Sequence, residues 1–489
     1  MGIDTHQEAV VYLRSDALVC RAEGFQAQAR VKIKLKEKFI IATLNILYDG
    51  LLDRGQAGLS EIAWERLGAQ PGDEAEFSHA PTVESLSDLR AKVYGHPFSK
   101  AALSSMVGDI VAGRYADVHL ASFITACADR SLNLDEITYL TEAMVESGES
   151  LTWSQSPIMD KHCVGGLPGN RTTPIVVAIV SAFGLVIPKT SSRAITSPAG
   201  TADTMEVFTK VDLSLSEMRQ VVEKEGACLA WGGNMHLSPA DDILIRVEKA
   251  LDLDSEGQLI ASVLSKKKAA GSTHVLMDIP TGPTAKVRSK ERAQEIAALL
   301  EEVGRRIGLQ VSSVITDGSQ PVGRRIGPVL EALDVLAVLR QEKEAPKDLE
   351  ERSLLLASKL LELSGKVAKG EGWKLAQEIL TSGQAWKKFY AICKAQGGFT
   401  EPSLAEYSQK VCAQASGVLK SINNRQLARV AKLAGAPLDK KAGVELNFKL
   451  GDSVEKGQPL FTLYAESPGE LNYALAYVRR HEQMFELEA

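Results

Sequence analysis

The chain has 489 residues, a formal net charge of −6, 24% charged residues and 45% hydrophobic residues. The length predicts several domains, and the composition is typical of a globular protein with no run long enough to span a bilayer. The net negative charge argues against a general nucleic-acid binder. Six scattered cysteines form no CxxC pair, and no secretory signal is visible at the N-terminus. We therefore expect a cytoplasmic protein with no metal site.

The first ~80 residues predict a small β-rich region that ends near Pro81-Thr82. Its predicted elements are the β-rich segments Ala9–Tyr12, Gln28–Ile33 and Phe39–Thr43 and a short helix, Ser60–Arg66. Helical periodicity follows, and Asn133 is expected to cap the last helix of this part. These helices are predicted over Ala101–Ala112, Ala116–Ala128 and Leu134–Val145.

Strands alternate with helices after Ile158, which predicts a mostly parallel sheet covered on both faces. Val275–Ile279 and Gln310–Ile315 are compact predicted strands with a helix, Glu291–Ile307, between them. Val176–Phe183 is apolar without clear alternation. Further on, Leu354–Ser364 and Glu371–Ala395 are predicted helices and the tail from Ala413 to Leu463 is β-rich.

A glycine-rich segment, DKHCVGGLPGNRTT at residues 160–173, has the composition of an anion site. Its three glycines let backbone N–H groups approach an oxyanion closely, and a lysine and two threonines supply further donors. An ordinary loop is the alternative interpretation of this segment alone.

A second segment, KTSSRAITSPAGTAD at residues 189–203, is dense in hydroxyl and cationic donors. Such density suits a tetrahedral anion, which needs many convergent donors and no metal. A solvated turn is the alternative.

A third candidate is the pair Ser262 and Lys266, which lie four residues apart on a helix predicted from about Gln258. This pair could hold the carbonyl and imide edge of a planar heterocycle. The alternative is that Lys266, Lys267 and Lys268 form a solvated helix face.

Taken together, these segments resemble the thymidine and pyrimidine-nucleoside phosphorylase family. The family's Ser-x-Arg and Gly-Thr-x-Asp-x-x-Glu signature appears as SSR at 191–193 and GTADTME at 200–206, and its Asp-Lys-His…Gly-Gly loop appears at 160–166. Arg246, Ser262 and Lys266 match its base-recognition set. The match is closer still to a branch with an extra N-terminal domain, which includes the AMP phosphorylases, on residues 189–197, 231–233 and 318–323.

The resemblance implies a multidomain α/β fold: an N-terminal β-rich domain, an all-α domain, a large α/β domain with a central, mostly parallel sheet, and a C-terminal α+β lobe. Mapped onto this chain, these domains occupy residues 1–82, residues 83–155 with a returning segment at 238–270, residues 156–237 with 271–345, and residues 346–489. It also implies a homodimer formed through the helical domain, and a higher oligomer through the N-terminal domain is a further hypothesis.

The activity that the resemblance implies is reversible, phosphate-dependent cleavage of an N-glycosidic bond. The substrate is a nucleoside or a nucleoside 5′-monophosphate, and the products are the free base and a pentose 1-phosphate or ribose 1,5-bisphosphate. An AMP-type nucleotide is the preferred substrate, and a thymidine or pyrimidine nucleoside is the alternative. Inorganic phosphate is the co-substrate, no other cofactor is expected, and neither nucleic acid nor membrane is an expected partner.

Site residues follow from the same resemblance. The expected phosphate ligands are Lys161, Thr172, Ser191 and Thr201. The expected substrate contacts are Gly166, Ser192, Arg193, Ala194, Ile195, Thr196, Ser197, Arg246, Ser262, Lys266 and Lys286. Two residues are candidates for the proton donor to the leaving base: Asp254, which matches the AMP phosphorylase branch and is preferred, and His162, which matches the thymidine branch.

Cys163 departs from the family pattern, which has a serine after Asp-Lys-His. A thiol is a weaker hydrogen-bond donor, so phosphate affinity is expected to be lower unless the backbone and Thr172 compensate. Cys163 as a covalent nucleophile is a minor alternative, because phosphate itself is the nucleophile in this chemistry. Two rival functions stay open: an anthranilate-type phosphoribosyltransferase and a non-catalytic homologue.

Overall fold

The computed structural model describes Ile3, Thr5, residues 8–48, 50–128, 131–194, 197–233, 235, 237–251, 253 and 255–488, with Lys249 described in its backbone only. The chain divides into two compact units. One contains residues 1–148 and 238–262, and the other contains 149–237 and 263–489.

The first unit begins with a five-stranded sheet of order β4-β1-β3-β2-β5, in which β1 and β3 are parallel and the other pairs are antiparallel. The β-rich N-terminal region is therefore confirmed. Ser60 caps its second helix, because the Oγ of Ser60 accepts a hydrogen bond from the backbone N of Ala63 at 3.4 Å. The elements are β1 (Val10–Arg14), α1 (Leu18–Glu23), β2 (Arg30–Leu35), β3 (Lys38–Leu47), β4 (Gly58–Leu59), α2 (Glu61–Leu67) and β5 (Glu76–His79).

Four helices follow, and the last three correspond to the three predicted ones. The expected cap of the last one is present, since Asn133 Oδ1 accepts from the N of Glu136 at 3.0 Å and Glu136 Oε2 accepts from the N of Asn133 at 2.8 Å. The helices are α3 (Leu86–Val93), α4 (Lys100–Val111), α5 (Asp117–Ala126) and α6 (Leu134–Glu146).

The α/β part of the second unit is built on parallel strands. Strands β10-β9-β6 form one parallel sheet and β7-β8 another, and a parallel bridge between Ile158 and Val186 joins them at β6 and β7. The predicted mostly parallel sheet is thus confirmed. In chain order the elements are β6 (Met159–Cys163), α7 (Thr172–Ala182), β7 (Ile187–Ser191), α8 (Thr201–Met205), α9 (Leu215–Glu225), β8 (Ala227–Trp231), α10 (Pro239–Leu251), α11 (Glu256–Ala269), β9 (His274–Thr281), α12 (Lys290–Arg306) and β10 (Gln310–Asp317). Of these, α10 belongs to the first unit, and α11 begins in the first unit and ends in the second.

The apolar run Val176–Phe183 belongs mostly to α7, whose residues from Thr172 to Ser181 are all buried. A helix covered on every side needs no polar face, which explains why the run shows no helical alternation. It packs in one apolar core with the four helices between Pro328 and Ala395. The segment Glu371–Ala395 forms two helices rather than one, because Gly383 adopts a φ of 77° between them. These elements are β11 (Arg325–Ile326), α13 (Pro328–Leu339), α14 (Lys347–Leu363), α15 (Gly372–Thr381) and α16 (Gln384–Ala395).

The C-terminal part has a separate apolar core between two antiparallel sheets, of order β11-β14-β16-β12 and β15-β13-β17, and two helices. The division of the chain at residues 82, 155, 237, 270 and 345 stays a prediction. The last elements are β12 (Tyr407–Cys412), β13 (Gly417–Ile422), α17 (Asn424–Leu433), β14 (Gly443–Leu446), β15 (Ser453–Val454), β16 (Pro459–Ala465), α18 (Pro468–Arg480) and β17 (Phe485–Glu488). Within the described ranges, none of the helices combines the length and apolarity that a bilayer crossing requires.

Candidate active site

Lys161 and Thr172 meet at the carboxyl end of β6, where α7 begins. The fully buried ammonium of Lys161 donates to Thr172 Oγ1 at 2.8 Å and lies 3.5 Å from Thr173 Oγ1. Its nearest ion-pair partner, Asp278 Oδ2, is 3.9 Å away. A lysine and two hydroxyl groups at a helix N-terminus form a donor set suited to an oxyanion.

Asp278 also organises the loop after β6. Asn170 Nδ2 lies 3.5 Å from Asp278 Oδ2 and donates to Cys163 Sγ at 3.3 Å, while Thr316 donates to Asp278 Oδ1 at 2.7 Å. Burial and the neighbouring Asp278 carboxylate raise the pKa of the Cys163 thiol to about 12. Thiolate is therefore scarce at neutral pH, which argues against Cys163 as a nucleophile.

Two glycines of the loop allow close backbone approaches. Gly166 has a φ of 82°, and a Cβ there would lie 2.8 Å from the backbone N of Lys286, so the fold brings these two predicted substrate contacts together. Gly169 has a φ of 75°, and a Cβ there would lie 2.2 Å from the carbonyl oxygen of Val322. The adjacent Asn170 donates its backbone N–H to the same oxygen at 3.0 Å. Any side chain at these positions would displace the loop.

The predicted phosphate ligands Ser191 and Thr201, here called the second donor cluster, lie on either side of the turn from β7 to α8, and Ser191 Oγ donates to the Ala230 carbonyl oxygen at 3.3 Å. Ser191 is the last residue of β7, and Thr201 is the first residue of α8. The turn between them is closed by Asp203, whose Oδ2 accepts from the backbone N of Ala194 at 2.6 Å and of Gly200 at 2.8 Å. A Cβ on Gly200 would lie 2.6 Å from the Ser192 carbonyl oxygen, so only glycine permits this turn.

The Arg193 guanidinium is engaged by other protein groups rather than directed at an anion. Its guanidinium donates to both carboxylate oxygens of Glu206, at 2.9 and 2.7 Å, and its Cζ lies 4.8 Å from the centre of the Trp231 ring. Ser197 Oγ donates to the Ala199 carbonyl at 2.9 Å. The predicted contacts Ile195 and Thr196 lie outside the described residues.

Arg171 joins the two donor clusters and was not among the predicted site residues. It precedes Thr172, and its guanidinium donates to Thr201 Oγ1 and to the Ala199 carbonyl, each at 2.8 Å. It also donates to the buried Glu331 carboxylate at 2.6 Å. The only sequence signal was an arginine directly before Thr172-Thr173.

Glu331 carries the other half of this link. It also accepts from the backbone N of Gly327 at 3.3 Å and lies 3.4 Å from Thr204 Oγ1. Burial raises the pKa of Glu331 to about 7, although Arg171 opposes the shift. The ion pair of Arg171 with Glu331 thus fixes the spacing between the two donor clusters.

Three charged groups, Asp160, Lys189 and Lys267, lie buried beside His162, and none of them was among the predicted site residues. Asp160 Oδ2 lies 2.8 Å from Lys267 Nζ, and Asp160 Oδ1 lies 3.4 Å from Lys189 Nζ. Burial lowers the pKa of Lys189 to about 7 against the opposing effect of Asp160. Burial, reinforced by the positive charges of Lys267, Lys189, Lys161 and Lys266, holds the pKa of His162 well below its usual range. The imidazole is therefore neutral at pH 7.

The predicted base contacts are distributed over both units. Arg246 lies on α10 and forms a two-pronged ion pair with Asp117, at 2.8 and 2.5 Å, which the sequence did not reveal. Ser262 and Lys266 lie one turn apart on α11, as predicted, and both are half-buried. Asp254, the preferred proton donor, lies outside the described residues.

Comparison with known protein families shows the general class of protein to which this chain belongs. Three family models match: "Glycosyl transferase family, helical bundle domain" over residues 88–148, "Glycosyl transferase family, a/b domain" over 155–386, and "Pyrimidine nucleoside phosphorylase C-terminal domain" over 418–483. The solved structure of anthranilate phosphoribosyltransferase from Thermus thermophilus matches with a TM-score of 0.52 and 20% identity, over 63% of this chain and 98% of that one. That likeness shows a shared fold alone.

Sequence relatives narrow the class. Proteins named "Putative thymidine phosphorylase" match from Hahella chejuensis (57% identity over 100% of this chain and 97% of the relative) and from Legionella pneumophila strain Paris (55%, 98% and 93%). "Putative thymidine phosphorylase 1" from Acidovorax sp. is 56% identical, over 99% of this chain and 95% of its own length. The chain belongs to the thymidine phosphorylase family of pentosyltransferases.

Proposed function

We propose that this protein catalyses reversible phosphorolysis of the N-glycosidic bond of a nucleoside 5′-monophosphate of the AMP type, giving a free base and ribose 1,5-bisphosphate. The observation that carries the proposal is that Arg171, which directly precedes Thr172 of the Lys161 cluster, donates to Thr201 and so links the two predicted sets of phosphate ligands. Both lie at the carboxyl ends of parallel strands, where open α/β sheets bind ligands.

Inorganic phosphate would occupy these two clusters and attack C1′ of the pentose as the base departs. The donors are held by buried partners before the ligand arrives, so little reorganisation is needed when charge develops. Phosphate is the co-substrate in this scheme, and no further cofactor is required. Activity that survives dialysis against a metal chelator would support this last point.

The departing base gains negative charge and needs a proton. Asp254 is the donor that we favour, because His162 is neutral at pH 7 and gives up its remaining N–H proton only with difficulty. This role requires a raised pKa for Asp254, so that its carboxyl is protonated when the base departs and transfers that proton to the base. Ser262 and Lys266 would hold the edge of the base, and Arg246 would join them on leaving its ion pair with Asp117.

A 5′-phosphate needs donors of its own. The close approach of Gly166 to Lys286 supports a site for the 5′-phosphate at these residues. It places a glycine, whose backbone has no side chain in the way, beside an exposed lysine. Residues Ser192 to Ser197 would contribute the rest of the site. Arg193 would act mainly through its neutral ion pair with Glu206, which shapes the loop.

Phosphorolysis of thymidine or another pyrimidine nucleoside is the second candidate, and the names of the relatives favour it. The resemblance to the AMP phosphorylase branch at residues 189–197 favours the nucleotide. As for assembly, we propose a homodimer formed through the helices α3 to α6, with the N-terminal sheet available for a higher oligomer.

Chromatographic measurement of base release from AMP, CMP, UMP, thymidine and uridine, each with and without phosphate, tests the proposal. Release from nucleotides only, and only with phosphate, is the expected result. Release from thymidine or uridine alone would replace the nucleotide proposal with the nucleoside one. Base release that needs diphosphate and Mg²⁺ would indicate a phosphoribosyltransferase, and no release from any substrate would indicate a non-catalytic homologue.

A further inference from the structure

A small cavity of about 100 Å³ lies within the first unit, between the N-terminal sheet and helices α4, α5 and α10. Three arginines line it: Arg30 from β2, Arg66 from the end of α2, and Arg246 from α10. We call it the arginine pocket. Its lining residues all belong to the first unit, whereas Lys161 and Ser191 belong to the second, and of the predicted substrate contacts only Arg246 lines it.

Arg30 has a hydrogen-bond donor that the protein leaves unused. Its Nη1 donates to Thr43 Oγ1 at 2.9 Å and its Nη2 donates to the Gly113 carbonyl at 2.5 Å. Its Nε is buried and has no acceptor among the described residues. Buried donors of charged groups are nearly always satisfied, so an unsatisfied one indicates an acceptor that the protein does not itself supply.

Arg66 adds a second donor group. No described residue forms an ion pair or a side-chain hydrogen bond with its guanidinium. A Cβ on Gly113 would lie 2.9 Å from Arg66 Nη1, so the missing side chain at Gly113 makes room for it. Burial and the positive charge of Arg246 lower the pKa of Arg66, which agrees with two guanidinium groups facing the same space.

The acidic residues of the pocket are engaged elsewhere or exposed. Glu8 accepts from Thr43 Oγ1 at 2.5 Å, both carboxylate oxygens of Asp117 accept from Arg246, and Asp242 is exposed. The pocket is therefore balanced in formal charge but rich in hydrogen-bond donors. A ligand that matches it must bring acceptors.

We propose that the arginine pocket is a second anion site that takes a small tetrahedral oxyanion of the phosphate class, bound by Arg30 Nε and the Arg66 guanidinium. Free phosphate and the phosphate group of a small ester share this chemistry. Because Arg30 and Arg66 come from the N-terminal sheet region while Gly113 and Arg246 come from the helical part, the anion would tie the two together. The inference goes beyond the proposed reaction and does not depend on it.

Equilibrium dialysis of the full chain with radiolabelled inorganic phosphate tests this proposal. The wild type is expected to bind two phosphates per chain, Arg66→Gln one, and Lys161→Gln one. Arg54→Gln is the matched control, because Arg54 is an exposed arginine of the same region that pairs with Asp16 outside the pocket, and it should still bind two. Ser191→Ala with Thr201→Val replaces Lys161→Gln if the latter does not fold.

The two failures are distinguishable. If the wild type binds one phosphate, and Arg66→Gln still binds it while Lys161→Gln does not, the arginine-pocket proposal is overturned and the proposed function stays intact. If the wild type binds one phosphate, and Lys161→Gln still binds it while Arg66→Gln does not, the result supports the arginine pocket and counts against phosphate binding at the Lys161 cluster. In Lys161→Gln, displacement of the label by glycerol 3-phosphate at lower concentration than by unlabelled phosphate would assign the pocket to an ester, and the opposite order would assign it to free phosphate.

Discussion

At the scale of single residues, the proposed site depends on charges that are buried before any substrate binds. Lys161, Lys189 and Lys267 are all under 5% exposed, and among the described residues their ion-pair partners are Asp160 and Asp278. Buried ammonium groups without full compensation destabilise the empty protein and attract anions. The same charges suppress protonation of His162.

Replacement of the two candidate proton donors separates their roles. We expect Asp254→Asn to lower kcat by roughly 10²–10⁴-fold, the usual effect of losing a general acid. His162→Gln should have a smaller effect on kcat. It should also leave the acidic limb of the pH profile of kcat unchanged, because the imidazole is already neutral. Steady-state kinetics between pH 5 and 9 measure both. A larger loss in His162→Gln than in Asp254→Asn would reverse the assignment.

Cys163→Ser restores the residue that the family pattern has at this position. A hydroxyl donates a stronger hydrogen bond than a thiol, so we expect the KM for phosphate to fall by a few-fold, with little change in the KM for the second substrate. Cys228→Ser, at another buried thiol, is the control. Loss of activity in Cys163→Ser would instead indicate a covalent role for the thiol.

At the scale of elements, the important feature is a cross-link between loops far apart in sequence. Arg171 lies before α7, Thr201 begins α8, and Glu331 is in the first turn of α13. Their contacts fix three helix starts relative to each other. The geometry of the site is thus set by helix positions rather than by one loop.

Arg171→Lys keeps the charge but cannot reach Thr201, Ala199 and Glu331 together. We expect the KM for phosphate to rise by about tenfold, which corresponds to a loss of about 1.4 kcal/mol in binding, while the KM for the second substrate changes little. Arg340→Lys, which alters an ion pair with the exposed Glu401, is the control. An equal rise in both KM values would contradict a phosphate-specific role.

The raised pKa of Glu331 predicts a pH dependence of stability. An unfolded glutamate ionises near its ordinary value of 4.5, whereas folded Glu331 stays protonated up to about 7. The folded state therefore binds more protons between these values, and stability falls as pH rises through this window, by about 3 kcal/mol at most. Thermal melts at pH 5 and pH 8 measure this effect. The stability of Glu331→Gln relative to the wild type should be greater at pH 8 than at pH 5. A pH-independent difference would show that the pKa is not raised.

Sequence patterns predicted those elements whose signals are local. The cap at Asn133, the short helix at Ser60–Arg66 and the strands Val275–Ile279 and Gln310–Ile315 were predicted from neighbouring residues. The contact of Arg171 with Glu331 spans 160 residues, and that of Arg246 with Asp117 spans 129. No local pattern records such pairs, because they arise only when the chain packs. Much of the donor set was therefore predictable, but not its cross-links.

At the scale of the whole molecule, the helical part exposes apolar side chains that a dimer would cover. Val93, Tyr94 and Val118 are 64%, 81% and 66% exposed on or beside α3 and α5. We expect Tyr94→Asp to convert a dimer into a monomer in analytical ultracentrifugation. Leu438→Asp, at a side chain 91% exposed in the C-terminal part, should leave the dimer intact. A monomeric wild type would refute the proposed dimer, and a Tyr94→Asp dimer would locate the interface elsewhere.

The approach of Gly169 to Val322 has a mechanical consequence. A parallel bridge joins these residues, and a few positions later Arg325 and Ile326 pair with Glu445 and Val444 in the C-terminal sheet. The glycine-rich loop is thus joined to a segment that pairs, three residues later, with the C-terminal sheet, and this connection restrains its movement. Loosening of the C-terminal lobe would be transmitted to the loop, so amide hydrogens of residues 164–170 and of that sheet should exchange with solvent at coupled rates.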